Sequence, residues 1–284
     1  MTESEITALG YLPNRLAEAV KKTAGHDVMI NEIRLRAGKC FSIVSGGQNL
    51  PCCIDCTKDE VDFTVDKLCR GSLYSHSEDI KNGVITTESG IRAGVSGRGI
   101  ITGGQLECVR DITSVSIRIP HRIAGAADFM LPLINKYGGI LVYSKPAGGK
   151  TTVLRELIPL LSEKYRVSVI DTRYELSCGI DDSGMTDVFL GYPRYEGMMA
   201  AVKTMSPEFI VCDEISTSSD AEAVMYAHSS GVKVIASAHA GNVRELYKNK
   251  SILKLTEAGV FGCFCGLNGF GEAPAITASA GYLE

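Results

Sequence analysis

The stretch GILVYSKPAGGKTTVLREL, Gly139–Leu157, decides how the rest of the chain is read. An apolar strand pattern, Gly139–Ser144, runs into a loop and then into a helical pattern from about Thr151 to Lys164. The loop approaches the phosphate-loop pattern G-x-x-x-x-G-K-[ST]. Gly149, Lys150 and Thr151 stand where that pattern requires them, while Ser144 takes the place of the first glycine and Ala147 fills a slot that is often glycine. A G-K-T triplet alone is a weak signal. A strand before it and a helix after it give it the setting in which backbone N–H groups and a helix N-terminus converge on phosphate. In this reading Ser144, Lys145, Pro146, Ala147, Gly148, Gly149, Lys150, Thr151 and Thr152 surround the phosphates of ATP. Lys150 reaches the β- and γ-phosphates, and the Thr151 hydroxyl is a ligand of Mg²⁺.

Downstream, short apolar strands alternate with helices. RVSVID (166–171), EFIVCDE (208–214) and VKVIASAHA (232–240) read as strands; YEGMMAAVKTM (195–205) and SDAEAVMYAHSS (219–230) read as helices. Apolar strands between helices predict a mostly parallel sheet covered on both faces. Each strand ends in polar residues, and the C-terminal edge of such a sheet is where ligands bind. Asp213 and Glu214 close the most apolar of these strands, where burying a carboxylate is costly unless a cation meets it. Asp213 is the expected Mg²⁺ carboxylate and Glu214 the residue that polarises the attacking water. His239 ends the next strand, either as a contact to the γ-phosphate or as a core histidine with its hydrogen bonds satisfied. Asp171 and Glu175 follow RVSVID, either positioning water or Mg²⁺ or, for Asp171, capping a helix start. Together the residues describe metal-assisted phosphoryl transfer to water. An arginine supplied in trans often completes such a site. The final segment, FGCFCGLNGFGEAPAITASAGYLE (261–284), reads as a glycine-punctuated hairpin.

The first part of the chain has a different rhythm and reads as α+β, giving an expected N-terminal domain over 1–125 and an ATPase domain over 126–284. Leu12, Leu16 and Val20 recur at helical spacing, and NEIRLRAG (31–38) alternates as a strand does. Thr57 with Glu60 makes a capping box for a helix to about Arg70. GVITTESGIRAGVSG (83–97) reads as a hairpin turning at Ser89-Gly90, and SVSIRIP (114–120) as a strand. The basic residues of this part are largely arginine, a side chain suited to planar contacts with carboxylate or phosphate.

The 284 residues, 45% hydrophobic and 22% charged, are ordinary globular values that leave room for two domains. A net charge of −4 and the lack of a basic, aromatic stripe argue against nucleic acid as the partner. Met1–Gly10 is acidic and polar, unlike a secretory signal, and no run of 18 apolar residues predicts a membrane span. Ten cysteines then belong to a reduced, cytosolic protein. Cys53-x-x-Cys56 supplies half of a zinc pattern; small apolar core residues are the favoured reading of the cysteines.

The order of phosphate loop, Asp/Glu box, MSPEFIVCDEI and SAHAGN resembles the secretion ATPases of type II, type IV and pilus systems. A closer resemblance is to the stage III sporulation protein AA family. It is carried by NEIRLRAGK, RDITSVSIRIPHRIAGAAD, SKPAGGKTTVLREL, VIDTRYEL, GYPRYEGMMAAVKTMSPEFIVCDEI and VIASAHAG, in that order across about residues 30–245. The resemblance implies a RecA-like P-loop domain behind a smaller N-terminal domain, ATP hydrolysis, and a homo-oligomeric, hexameric ring. It also implies docking to membrane-embedded sporulation channel proteins from the mother-cell cytoplasm. By position it makes Lys150 and Thr151 the nucleotide and Mg²⁺ residues, Asp213 and Glu214 the second acidic pair, Asp171 and Glu175 the Asp box and His239 the family histidine. Arg118, Arg122 and Arg194 lie in matching blocks as candidates for the arginine in trans. Serine at 144 is normal for the family. Lys145, Ala147, Thr172 and Ser216 depart from its pattern, and a non-glycine at 147 is strained if that position needs a positive φ.

Overall fold

The computed structural model describes residues 1–25, 28–87, 89–121, 123–146, 148–177, 184–269 and 272–279. The chain divides into two compact units, Met1–His121 and Arg122–Glu284.

The first unit opens with α1 (Glu3–Leu9) and α2 (Asn14–Ala24), then β1 (Glu32–Arg36), β2 (Lys39–Ser45) and β3 (Gln48–Cys56). It continues through α3 (Lys58–Leu68), α4 (Ser77–Lys81), β4 (Val84–Thr86), β5 (Arg92–Thr102) and β6 (Gln105–Arg118). The strands form one sheet in the order β3-β2-β1-β6-β5-β4, antiparallel at every step. Alternation sends Ile33 and Leu35 inward, where Leu16, Val20, Phe41, Ile43, Val61, Val65 and Ile117 bury against them. Each such side chain contributes about 1.5–3 kcal/mol on leaving water. The Thr57–Glu60 capping box is present in both directions. A second one, Thr2 with Glu5, starts α1, a helix the apolar spacing did not reveal. The opposite sheet face is polar. Arg34 and Arg36 lie across from Ser116 and Ser114, and with Ser96 they line a groove of about 340 Å³.

The second unit runs α5 (Met130–Tyr137), β7 (Ile140–Ser144), α6 (Lys150–Ser162), β8 (Val167–Asp171), β9 (Thr186–Leu190) and α7 (Arg194–Thr204). It continues with β10 (Phe209–Glu214), α8 (Ser218–Ser229), β11 (Lys233–His239), α9 (Val243–Leu246), α10 (Lys250–Glu257), β12 (Cys263–Gly266) and β13 (Ala275–Ala278). The sheet order is β13-β12-β7-β11-β10-β8-β9, parallel throughout except that β13 runs antiparallel to β12. The sheet is therefore mixed at one edge, because the final segment turns straight back as a hairpin, which can only pair antiparallel. That segment also delivers β12 into the sheet beside β7, a role its glycine-rich sequence did not announce.

Core side chains cover both faces of this sheet. Leu154, Leu157, Ile158 and Val169 lie in one buried cluster and Ile170, Val224, Ala227 and Val234 in another. Parallel pairing carries the C-terminal ends of β7, β8, β10 and β11 to one edge. Ser144 is registered against His239, and Glu214 against Ser237. A register irregularity between Val211 and Glu214 interrupts β10 just where its two carboxylates begin, the kind of break that re-aims side chains. No described helix is long and apolar enough to cross a membrane.

Candidate functional site

At that edge of the second unit lies a cleft of about 320 Å³. Its floor is the loop before α6, contributing Pro146, Gly148, Gly149, Lys150, Thr151 and Thr152; its walls are Arg173, Glu175, Asp213, Glu214, Ser237 and His239. Gly149 adopts a left-handed conformation (φ 94°) at the N-cap of α6, a position that favours glycine. Gly148 is required for a different reason. A Cβ there would meet Ser144 Oγ at 2.5 Å and Lys145 O at 3.0 Å. Ser144 thus occupies the inside of the loop, its hydroxyl donating to Lys145 O at 2.8 Å. The residue standing in for the first glycine is compensated by a glycine four positions on. Ser144 and Lys145 are not part of the cleft wall; the Lys145 stem passes beside Gly241. Ala147 lies outside the described residues.

This packing gives a double-mutant prediction. Gly148→Ala is expected to reduce nucleotide affinity by about tenfold or more, as a displaced loop loses its aligned N–H groups. Adding Ser144→Gly is expected to recover part of that loss. Binding of a fluorescent ADP analogue to the four proteins reads it, and strict additivity would refute the Ser144–Gly148 contact as the cause.

Lys150 is 8% exposed. Its Nζ lies 3.0 Å from His239 Nδ1 and 3.4 Å from both the carbonyl and the hydroxyl oxygen of Ser144. Burial pushes its ammonium below the usual lysine range, and Glu214 and Glu175 partly offset this. On the other side of the imidazole, His239 Nε2 lies 3.0 Å from Glu214 Oε2. An ammonium has three donors and no acceptor, so Nδ1 accepts from Lys150. The ring proton then sits on Nε2 and is donated to Glu214. His239 therefore bridges Lys150 and Glu214 through its two ring nitrogens rather than standing as a core histidine. Arg173 Nη1 lies 3.5 Å from the same oxygen of Glu214.

Asp171 and Glu175, paired in the sequence reading, take different places. Asp171 is fully buried and faces the backbone of its own loop. Its oxygens accept from the N–H groups of Glu175 (2.9 Å), Leu176 (3.0 Å) and Ser177 (2.8 Å) and from the Ser177 hydroxyl (2.6 Å). It caps a turn instead of meeting the cleft. Arg155 on α6 holds the same loop through two hydrogen bonds to Glu175 O, at 3.1 and 2.6 Å. Tyr174 takes a left-handed conformation (φ 58°), uncommon for a residue with a side chain. The loop so fixed presents Arg173 and Glu175 to the cleft. Sequence reasoning missed Arg173 and Arg155; the strand-end rule that found Asp171 could have found Arg173 two residues later.

Asp213 is buried, its Oδ1 ion-paired with Arg194 and its Oδ2 buried without a hydrogen-bond partner. Burial raises its carboxyl above the ordinary range, against the pull of Arg194. Arg194, a sequence candidate for action in trans, is enclosed within its own unit by Asp213 and Asp220 and has only 10% of its side chain exposed. Arg118 is exposed on the polar sheet face of the first unit, and Arg122 lies outside the described residues.

The donor set suits a phosphate chain with Mg²⁺. The loop and α6 offer backbone N–H groups and an ammonium, and the orphaned Asp213 Oδ2 offers one carboxylate oxygen. Among the described residues no cluster of three His, Cys, Asp or Glu is placed to cage a metal. Mg²⁺ commonly takes one or two carboxylates and completes its shell with water and substrate phosphates, so the set fits. A second, more apolar hollow of about 710 Å³ shares Gly148, Gly149 and Thr152 with the cleft. Ile123, Phe129, Val153, Leu267 and Pro274 line it, with Glu272 as its charged residue.

The fold that carries this strand–loop–helix at the head of a parallel sheet is found in solved structures. The ATPase DotB of Legionella pneumophila matches with a TM-score of 0.59 over 92% of this chain and 77% of that one, at 14% identity. The pilus retraction motor PilT with bound ADP matches with a TM-score of 0.60 over 91% and 80%, at 15% identity. At these identities the likeness shows the fold alone. The family model described as sporulation stage III, protein AA, matches residues 4–278, and the chain belongs to that family. Stage III sporulation protein AA of Bacillus subtilis (strain 168) is 32% identical over 246 residues, 82% of this chain and 80% of that protein.

Proposed function

We propose that the chain is a Mg²⁺-dependent ATPase serving a sporulation channel or secretion-like complex between mother cell and forespore. Residues 126–284 form its ATPase domain and 1–125 its N-terminal domain. The observation that carries the reading is the line Lys150–His239–Glu214 across a cleft floored by the Gly149–Thr151 loop. It joins the residue suited to phosphate to the residue suited to activating water, through a group that responds to both. The mixed character of the neighbouring hollow suits a nucleoside, with apolar walls for a base.

In this mechanism Mg²⁺, held by Thr151 and Asp213, would supply charge neutralisation at the phosphates. Lys150 binds the β- and γ-phosphates, and in doing so gives up its hydrogen bond to His239 Nδ1. His239 keeps Glu214 oriented through Nε2–H, and Glu214 polarises water toward the γ-phosphorus. Arg173 sits where it can follow negative charge as that bond breaks. Hydrolysis drives a homo-oligomeric ring, hexameric as in the ATPases the chain resembles, docked from the cytoplasm onto membrane-embedded channel proteins.

The test is ATPase rate per subunit against protein concentration, with assembly followed in parallel by light scattering. A ring motor gives a rate that rises with assembly. ATP binding without hydrolysis at any concentration overturns the motor and leaves a nucleotide-dependent assembly protein.

A further inference from the structure

Arg194 begins α7, and its two terminal nitrogens reach in different directions. Nη2 pairs with Asp213 Oδ1 on β10, and Nη1 bonds Asp220 Oδ1 on α8 at 2.6 Å. The three side chains are 10%, 9% and 8% exposed. The second oxygen of Asp220 accepts the N–H groups of Ser216 (3.0 Å) and Thr217 (2.9 Å), closing the turn that directly follows Asp213-Glu214. One guanidinium thus sits between two buried carboxylates. Both oxygens of Asp220 are engaged, as is Oδ1 of Asp213, while Asp213 Oδ2 is buried, has no partner and belongs to a residue on the cleft wall. A buried carboxylate oxygen in that condition calls for a cation.

We propose that Arg194 is a positioning residue for the metal-binding carboxylate. It claims one oxygen of Asp213 and leaves Oδ2 as the single oxygen presented to a hydrated divalent cation. Through Asp220 it ties that oxygen to the start of α8. This rests on the nucleotide–metal reading of the cleft. The planar fork of arginine can serve two carboxylates at once; the compact ammonium of lysine cannot reproduce that span. A different account would make the triad a mere pin joining α7, β10 and α8, and the two accounts separate in a binding experiment.

The experiment follows Mn²⁺ by electron paramagnetic resonance in the presence of ADP, and ADP binding in EDTA, for the full chain and for Arg194→Met, Arg194→Lys and Asp220→Asn. Loss of a residue that orients a ligand typically costs 10–100-fold in metal affinity. Arg194→Met is expected to weaken Mn²⁺ binding to the ADP complex by that factor, with metal-free ADP affinity held within about twofold. Arg194→Lys is expected to rescue little. Asp220→Asn keeps an amide oxygen for the Ser216 and Thr217 N–H groups but loses the anchor for Arg194, and is expected to fall between wild type and Arg194→Met. Parallel loss of ADP affinity with and without metal in Arg194→Met makes the triad a pin and overturns the proposal. Should Arg194→Met fail to fold, a folded Asp220→Asn protein with wild-type Mn²⁺ affinity overturns it. Wild-type protein that binds ADP but no Mn²⁺ removes the metal reading itself, a result distinct from either.

Discussion

Lys150→Ala is expected to lower ATP turnover by about 10³-fold or more and to remove the stabilisation that nucleotide confers on the folded protein. The Lys150 ammonium is the buried cation on the cleft floor, and its removal leaves backbone N–H groups and the Thr151 and Thr152 hydroxyls there. The effect on the protein without nucleotide is expected to be small. Burial already disfavours this ammonium, so deleting it relieves a desolvation cost while giving up one 3.0 Å and two 3.4 Å contacts. His239, with 42% of its side chain exposed, can take water in place of the lost donor. The melting temperature without ligand should therefore stay within a few degrees of wild type, while the upward shift on adding Mg·ADP disappears. A variant that keeps that shift, or a tenth of wild-type turnover, would show that Lys150 does not meet the phosphates.

What the sequence disclosed of this site, and what it withheld, divides along the range of the interaction responsible. Asp171, Asp213, Glu214 and His239 were found because each ends an apolar strand, a local pattern, and parallel pairing then does the gathering without further instruction. The bridge through His239 was not legible, since it depends on β11 lying between β7 and β10. Arg194 was visible only as a basic residue in a matching block; its partners lie 19 and 26 residues away on separate elements. Asp171 shows the limit of the strand-end rule. A carboxylate at that edge can face the ligand or the backbone of its own loop, and the side chain turned to four donors from residues 175–177. Ser144 shows the converse. It looked like a defect in a glycine pattern, yet its hydroxyl and the bare Gly148 fill the same space. In the first unit, α1 announced itself only through Thr2 and Glu5, and the β2–β3 pair was not read from the sequence, although Cys52 and Cys56 of β3 are buried as the favoured core reading of the cysteines expects.

Glu214→Gln is expected to separate binding from chemistry. The amide keeps the shape of the carboxylate and an oxygen to accept from His239 Nε2–H, so the line to Lys150 survives. What it loses is the negative charge that polarises water. Turnover should fall by about 10²–10⁴-fold, the range associated with a positioned acid or base, while ATP affinity stays at wild-type level or rises. Stability should change little, because the ion pair given up is with Arg173, 3.5 Å away and 56% exposed, where screening leaves such pairs worth under about 1 kcal/mol. The nucleotide recovered from the protein after incubation with ATP is the sharper readout. Glu214→Gln should retain ATP where wild type holds ADP, whereas Lys150→Ala should retain neither. If Glu214→Gln instead hydrolyses ATP at the wild-type rate, water is activated by some other group, and Glu175, the cleft-wall carboxylate not assigned to the metal, becomes the residue to replace next.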